Sequence, residues 1–191
     1  MKIKMTLLSD AIPGNGESVP GGEDISVLHD EQGFPYYKGG TLKGIFREEL
    51  INHYAWTGAS ETDISAQTSR LLGSGGDDSD LPGKLRFSDL VLSEKVRQII
   101  MKEQIGGKAL SSDDILGALS YMRTFTAIDE GGMVKEGSLR YARCLKKGLI
   151  FYGEIRCASA DEGLVREVLS QIKWIGTMRN RGFGRVRIEA I

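Results

Sequence analysis

The sequence predicts a single domain of the α+β class, with strands at both ends and helices between them. Residues 2–8 and 185–191 alternate apolar and polar side chains, which is typical of half-buried strands. Segments 41–56 and 161–174 instead carry apolar residues at helical spacing. The chain has 191 residues, 40% of them hydrophobic, which suffices for one domain with a buried core. Residues 1–191 are therefore expected to form one domain that contains insertions.

The first half of the chain predicts a strand, a loop, a turn and a long helix. Residues 10–24 are rich in Gly, Pro and Ser and form the loop. A short strand at 25–29 and an Asx turn at Asp30 lead to the helix 41–56, for which Thr41 is the candidate N-cap. Six apolar residues of this helix are expected to face the core: Leu42, Ile45, Phe46, Leu50, Ile51 and Tyr54.

Two insertions, at about 57–83 and 91–119, are expected on either side of an alternating strand at 84–90. They contain a helix at 64–72, a polar loop at 73–80 that we expect to be mobile, and helices at 93–104 and 111–119, the last capped by Ser111 or Ser112. Further strands are expected at 121–128, 139–145 and 149–157, with a hairpin-like excursion at about 123–138. The order of strand, helix, strands, helix and strand predicts a ferredoxin-like (RRM-like) split βαβ sheet, with helices on one face and a thumb-like hairpin added.

Composition limits the compartment and the kinds of partner. The formal net charge is only −1, so basic clusters are local features rather than a property of the whole protein. No apolar run approaches the length of a membrane-spanning segment, and the N-terminus has the pattern of a strand rather than a signal peptide. Cys144 and Cys157 form no CxxC pair, which argues against structural zinc and favours free thiols in a reduced cytoplasm.

The most informative segment is the loop 176–186, which combines three glycines, three arginines and an aromatic residue that we expect to be exposed. Glycine allows a partner to approach closely and arginine provides a donor fork that suits phosphate. The candidate anion-binding residues here are Arg179, Arg181, Gly182, Phe183 and Gly184. A glycine-rich turn whose arginines are simply solvated explains the pattern equally well.

A second glycine-rich segment stands at the start of the helix 41–56. Unpaired N–H groups and the helix dipole favour an anion at such a position. The candidate residues are Gly39, Gly40 and Thr41 at the helix start, with Lys43 and Arg47 on one helix face. An ordinary capped helix with a solvated basic stripe is the alternative explanation.

Three blocks of the sequence carry a family resemblance. Residues 39–47 read Gly-Gly-Thr-Leu-Lys-Gly-Ile-Phe-Arg, residues 71–73 and 83–89 form the second block, and residues 181–186 read Arg-Gly-Phe-Gly-Arg-Val. In this order the blocks resemble the motifs of the RAMP superfamily, the repeat-associated RNA-binding proteins of CRISPR systems. The likeness spans nearly the whole chain and is closest to the backbone subunits of type III CRISPR effector complexes.

The resemblance implies a subunit that binds guide RNA and target RNA and assembles with other RAMP subunits, including copies of itself, without a membrane. It also implies that Asp24 cleaves target RNA together with a divalent metal ion, expected to be Mg²⁺, whose site the sequence does not locate. A carboxylate can accept a proton or position such an ion. Residue type alone favours a turn-capping role for Glu23 and Asp24, whereas the positional match favours catalysis.

By the same resemblance, the excursion 123–138 is a thumb that wedges into the guide–target duplex, with Arg123 as a phosphate contact. Its apolar residues are Phe125, Ile128, Met133 and Val134. The alternative is a hairpin whose apolar side chains pack on the body.

Two other functions stay open at this point. One is a structural subunit of the same complex that binds RNA without cutting it. The other is a stand-alone endonuclease that processes guide precursors with a histidine base, His29 or His53, although a lone histidine is more often structural.

Overall fold

The computed structural model describes residues 1–14, 22–73, 83–129 and 131–191. Most of the polar loop predicted at 73–80, and part of the early loop predicted at 10–24, lie outside the described residues. Within the described segments, no helix combines the length and the hydropathy that crossing a bilayer requires.

The described chain forms ten strands and five α-helices. The strands are β1 (Lys2–Leu7), β2 (Tyr36–Tyr37), β3 (Arg86–Phe87), β4 (Leu90–Leu92), β5 (Gln104–Ile105), β6 (Lys108–Ala109), β7 (Ser120–Phe125), β8 (Arg140–Leu145), β9 (Ile150–Arg156) and β10 (Val186–Ala190). The helices are α1 (Gly39–Trp56), α2 (Glu61–Leu72), α3 (Glu94–Lys102), α4 (Ser112–Leu119) and α5 (Glu162–Gln171). Single 3₁₀ turns at Ser159–Asp161 and Arg179–Arg181 precede α5 and β10.

The main sheet has the strand order β10-β1-β9-β4-β2, and every pairing in it is antiparallel. The short strand β3 pairs with the end of β9. In the middle of the sheet, Met5 of β1 lies between Ile188 of β10 and Phe151 of β9. All three side chains are buried, so the alternation seen in the sequence marks the face of the sheet that joins the core.

The core joins this face to α1 and α5. The buried cluster contains Ile3, Met5 and Leu7 from β1, Leu42, Phe46 and Leu50 from α1, and Val165, Val168 and Leu169 from α5. Ile51, which helical spacing assigned to the core, is 39% exposed and lines a groove between α1 and α2. That prediction was wrong because Ile51 lies on the side of α1 that borders α2, where the two helices leave an open groove, and not on the side that packs on the sheet.

The start of α1 differs from the prediction. The helix begins at Gly39, the N-cap is Lys38 without a side-chain hydrogen bond, and Thr41 is already inside the helix. The Gly39 N–H instead donates to the Asp89 carboxylate at 2.7 Å. An acidic side chain from the turn between β3 and β4 therefore performs the capping role that Thr41 was expected to perform.

The strands β7 and β8 form a separate antiparallel hairpin. The strands predicted on either side of the hairpin-like excursion pair with each other as β7 and β8, whereas the strand predicted at 149–157 pairs as β9 with β1. The predicted strand 121–128 also ends earlier, at Phe125. Residues 25–29 form single bridges rather than a strand, at Ile25 and at His29.

The helices α2, α3 and α4 of the two insertions lie close to the positions that the sequence predicts. Ser111 caps α4 in a capping box with Asp114. The predicted Asx turn at Asp30 is confirmed, since its carboxylate accepts the N–H groups of Gln32 and Phe34, both at 3.0 Å. Arg97 of α3 donates to the same carboxylate at 2.6 Å and ties that helix to the turn.

Candidate nucleic-acid interface

The loop between α5 and β10 is built on backbone conformations that favour glycine. Gly176, Gly182 and Gly184 all have positive φ. A Cβ on Gly184 would lie 2.0 Å from the Ile175 carbonyl oxygen, and one on Gly176 would lie 2.2 Å from the Ile12 carbonyl oxygen. A Cβ on Gly182 would meet nothing within 4 Å. Two of these glycines therefore serve internal packing, and only Gly182 leaves open space at the exposed tip.

Asp10 connects this loop to the hairpin. Its backbone carbonyl accepts the Gly184 N–H at 2.7 Å. Its carboxylate accepts the Tyr121 hydroxyl of β7 at 2.8 Å and the Lys147 N–H at 2.8 Å. Sequence reasoning missed Asp10, because a lone aspartate after a strand gives no local sign of partners more than a hundred residues away.

Two arginines lie on a pair of phenylalanine rings where the loop meets the hairpin. The rings of Phe125 and Phe183 are 5.8 Å apart at 73°, an edge-to-face arrangement. The Arg123 guanidinium carbon is 5.0 Å from the Phe183 centroid, and that of Arg181 is 5.7 Å from the Phe125 centroid. Both contacts are within cation–π range, so the aromatic pair holds two exposed positive charges side by side.

Phe183 itself is only 4% exposed and belongs to a small buried cluster with Phe125, Ile12, Ala142 and Cys144. The expectation of an exposed aromatic at this position was wrong. Phe183 supports the arginines and anchors the loop rather than offering a face on which a base can stack. Burial raises the pKa of the neighbouring Cys144 thiol to about 11, which agrees with the apolar character of the cluster.

A cleft of about 350 Å³ opens next to the arginines. Its walls are Phe125, Thr126, Ala127, Lys135, Glu136, Gly137, Ser138, Arg140, Met178 and Arg181. Three cations and one carboxylate line this cleft, so its local charge is positive although the whole chain is nearly neutral. The structure thus joins the Gly/Arg loop and the base of the hairpin, two features that the sequence presented separately, in one cationic site.

Arg179 faces the segment that leads into α1. Its Nε donates to the Gly176 carbonyl at 3.0 Å, and the side chain is exposed. Burial raises the pKa of the Tyr37 hydroxyl, and the positive charge of Arg179 acts in the opposite direction. Arg179 is therefore within electrostatic reach of Tyr37, which lies two positions before Gly39, the first residue of α1.

The residues at the start of α1 divide into two groups. A Cβ on Gly39 would lie 2.5 Å from the Ser88 carbonyl oxygen, and Arg47 donates to the carbonyls of Leu72 and Gly73 at 3.3 and 2.9 Å. These two residues hold the fold together. Gly40 and Thr41 are exposed and Lys43 is half-buried, so these three remain accessible to a ligand.

Asp24 lies beside β8, at the base of the hairpin. Its carboxylate accepts the Tyr141 N–H at 2.8 Å, and its own N–H donates to the Tyr141 carbonyl at 2.8 Å. The preceding Glu23 forms an ion pair with Arg143. Asp24 is exposed, and Arg140, the residue before its partner, lines the cleft. The residue that sequence analysis marked for catalysis is thus fixed close to the cationic site.

A protein-built metal centre does not fit the described residues. They contain no group of three His, Cys, Asp or Glu side chains that could hold an ion. No chemical step is therefore assigned to a metal held by this chain alone.

Both histidines are engaged by neighbours. His29 Nδ1 is 3.0 Å from the Asp30 carbonyl, and His53 Nδ1 is 3.1 Å from the Gln171 amide nitrogen. They lie on different elements, a loop and α1.

The tip of the hairpin is apolar and exposed. Ile128, Met133 and Val134 are 68%, 71% and 65% exposed, and Ile128 pairs with Val134. The Asp129 carboxylate closes the turn by accepting the N–H groups of Gly131 and Met133, both at 2.9 Å. The alternative in which these apolar side chains pack on the body is wrong for all three, although Phe125 at the hairpin base is buried.

Comparison with known proteins agrees with the resemblance in the sequence. The model of the RAMP superfamily matches residues 4–187. A subunit in the cryo-EM structure of the type III-B Cmr-beta complex bound to cognate target RNA superimposes with a TM-score of 0.70 at 13% identity, over 98% of this chain and 95% of that chain. The apo state of the same complex gives a TM-score of 0.69 at 13% identity, over the same shares. No curated protein matches the sequence. The likeness in structure establishes a mixed α+β fold with antiparallel sheets, and the family match establishes that the chain belongs to the RAMP superfamily.

Proposed function

We propose that this chain is a guide-RNA-binding backbone subunit of a type III CRISPR effector complex in the cytoplasm, and that it cleaves target RNA with Asp24. Its partners would be guide RNA, target RNA, other RAMP subunits and copies of itself. Family membership and the likeness to Cmr-beta subunits support the assembly. The observation that carries RNA binding is the placement of Arg123 and Arg181 on the Phe125–Phe183 pair, of which Phe125 and Arg181 line the cationic cleft.

The strand order supports the ferredoxin-like assignment as part of this proposal. If β1, β4, β9 and β10 are taken as the four core strands, the spatial order of the first, second, third and fourth strands is 4-1-3-2. The helices α1 and α5 then lie between the first and second and between the third and fourth strands. This order agrees with the split βαβ plan, and α2 and the segment 93–145 would then be insertions.

The cleft suits an RNA backbone better than a base. Guanidinium groups bind phosphate oxygens through a planar fork, and Phe125 and Phe183 hold two such groups in place without offering a free stacking face. Recognition through phosphates carries no sequence information directly. The subunit is therefore expected to hold guides of different sequence in the same way.

In the proposed function, the hairpin tip is the wedge that enters the guide–target duplex. Ile128, Met133 and Val134 form an exposed apolar tip beyond the hairpin residues that line the cleft. Apolar side chains inserted between base steps unstack them. A base displaced in this way would bring the adjacent target phosphate towards the base of the hairpin, where Asp24 is anchored.

In the proposed reaction, Asp24 accepts the proton of a target 2′-hydroxyl as that oxygen attacks the adjacent phosphorus. The bond from phosphorus to the 5′-oxygen breaks, and the leaving oxygen takes a proton from solvent. The hydrogen bond from the Tyr141 N–H fixes the orientation of the carboxylate for this step. If Mg²⁺ takes part, Asp24 would hold it together with phosphates of the RNA, because this ion usually binds through one or two carboxylates and substrate phosphates.

A non-catalytic subunit of the same complex is the second candidate. The observation that favours it is the pair of hydrogen bonds between Asp24 and the Tyr141 backbone, which gives the carboxylate a structural task. In that case the hairpin and the cleft would still bind RNA, but target cleavage would be absent from the wild-type complex.

The double substitution Arg123→Gln with Arg181→Gln tests RNA binding. Hydrogen bonds to charged groups contribute about 1.5–3 kcal/mol each, so the affinity for single-stranded RNA should fall at least about tenfold. Fluorescence anisotropy with several RNA sequences measures this loss, which should be similar for all of them. Arg166→Gln, on the exposed side of α5, is the matched control and should bind as the wild type does. Equal affinity of the double variant and the control would contradict the proposal.

A further inference from the structure

A second concentration of positive charge lies at the edge of the main sheet, where β3 pairs with β9. Arg86 stands directly opposite Arg156 in this antiparallel pair. Side chains at opposed positions project from the same face, with Cβ atoms about 5 Å apart, and like charges placed in this way are destabilising. The fold thus places two like charges directly opposite each other in this short pair.

The ammonium group of Lys43 on α1 adds to this positive charge. Burial lowers the pKa of the Lys43 ammonium on α1, and the charges of Arg47 and Arg86 lower it further. Arg86 is therefore within electrostatic reach of Lys43. Among the described residues, the ion pairs of the protein include none of Lys43, Arg86 and Arg156.

The surface at this edge is concave. A cavity of about 400 Å³ is lined by Arg86, Phe87, Ser88, Glu154 and Arg156. Glu154 is the single carboxylate of this lining, so two guanidinium groups leave the cavity with a net positive charge. Arg86 and Arg156 are both exposed, and their donor forks suit the oxygens of a phosphate.

This edge is separate from the cleft at the hairpin. The Gly/Arg loop enters β10 at Val186, which pairs with Leu7, and the adjacent Thr6 pairs with Ile150 at the start of β9. Arg156 is the last residue of the seven-residue strand β9, and therefore lies about 20 Å along it. A single RNA strand can span this distance across one subunit.

We propose that Arg86 and Arg156, with Lys43 beside them, form a second site for the phosphates of single-stranded RNA. The site rests on the proposed function, because it continues the path of an RNA held at the cleft. A bound phosphate places negative charge between the opposed arginines and removes their repulsion. An acidic segment of a neighbouring protein would have related chemistry, but the presence of a cationic cleft elsewhere on the same subunit favours RNA.

The test uses a double variant that carries both Arg86→Gln and Arg156→Gln. It is compared with wild type and with the control variant Arg166→Gln. Binding of a fluorescein-labelled oligouridine is measured between about 50 and 200 mM salt. Each phosphate contact on a single strand contributes about 0.7 to the slope of log affinity against log salt, so the double variant should lose about 1.4 from that slope. Arg166→Gln should keep the wild-type slope.

The outcomes separate this site from the proposed function. If the double variant keeps the wild-type slope while Arg181→Gln weakens binding, the second site is wrong and the cleft stands. If the wild-type chain fails to bind the RNA, both are wrong. If RNA binding is unchanged but the double variant no longer enters the multi-subunit complex, the surface binds protein and the proposal is overturned.

Thermal unfolding of the free chain tests the premise that the two arginines repel each other. Arg86→Gln should raise the thermal midpoint of the free chain at low salt, and the gain should shrink as salt screens the pair. Adding oligouridine should raise the midpoint of wild type more than that of Arg86→Gln. An unchanged or lower midpoint for Arg86→Gln at low salt would show that the arginines do not repel one another, and would remove the basis of the site.

Discussion

Asp24→Asn is expected to reduce target-RNA cleavage by the assembled complex at least about 100-fold, since general-base catalysis contributes about 10²–10⁴ in rate. Asparagine keeps an oxygen that can accept the Tyr141 N–H, so the anchor beside β8 is preserved. It removes the negative charge and the ability to take up a proton. The rate of cleavage of a labelled target under single-turnover conditions measures the effect.

Asp24→Ala completes this experiment, because it removes the hydrogen bond as well as the charge. In the catalytic account both variants fail to cut, and only the alanine variant loses thermal stability. In the structural account Asp24→Asn behaves as wild type in every respect. Cleavage by Asp24→Asn at the wild-type rate and with the wild-type pattern would therefore exclude Asp24 as the base.

Gly184→Ala is expected to lower the free energy of unfolding by about 2–4 kcal/mol, which is a large effect for one methyl group. The new Cβ would lie 2.0 Å from the Ile175 carbonyl oxygen, on a residue whose φ is +82°. The same residue donates its N–H to the Asp10 carbonyl and accepts the Ile175 N–H. Displacement of Gly184 would therefore move Phe183 and weaken RNA binding. Urea denaturation and RNA titration measure the two losses.

Gly182→Ala is the matched control for this substitution. Gly182 has nearly the same backbone conformation, with φ of +84°, but a Cβ there would meet nothing within 4 Å. It should cost only the strain of a left-handed alanine, about 1–2 kcal/mol. Equal losses for the two variants would mean that backbone conformation alone, and not the close approach to Ile175, explains the requirement for glycine at 184.

Local patterns predicted the elements that local forces determine. The alternation of β1 and β10, the apolar stripe of α5 and the Ser111 cap of α4 all appear where the sequence placed them. The start of α1 was misplaced because its cap comes from Asp89, fifty positions later in the chain. The pairing of β9 with β1 was not predicted because the hydrophobic pattern of a strand does not identify the neighbouring strand.

In the candidate site, too, local sequence indicated some residues, whereas the roles of others depend on distant parts of the chain. Arg123, Arg181 and the hairpin were identified from residue type and resemblance, and the structure brings both arginines together on the Phe125–Phe183 pair beside the cleft. The burial of Phe183 depends on Phe125, fifty-eight positions earlier, so nothing in the loop itself indicates it. Arg47 was assigned to RNA by its charge, but its Nη2 donates to the carbonyls of Leu72 and Gly73 at the end of α2, which only the tertiary fold supplies.

The central claim is that RNA passes through the cleft between the hairpin and the Gly/Arg loop. Photo-crosslinking tests it most directly, with 4-thiouridine placed at successive guide positions in the assembled complex and the crosslinked peptides identified by mass spectrometry. The account predicts crosslinks in peptides that span 123–140 and 176–185, whose residues line the cleft. Peptides from the groove between α1 and α2, at 47–69, serve as the internal comparison. Crosslinks that fall in this groove or elsewhere and spare both predicted segments would contradict the account.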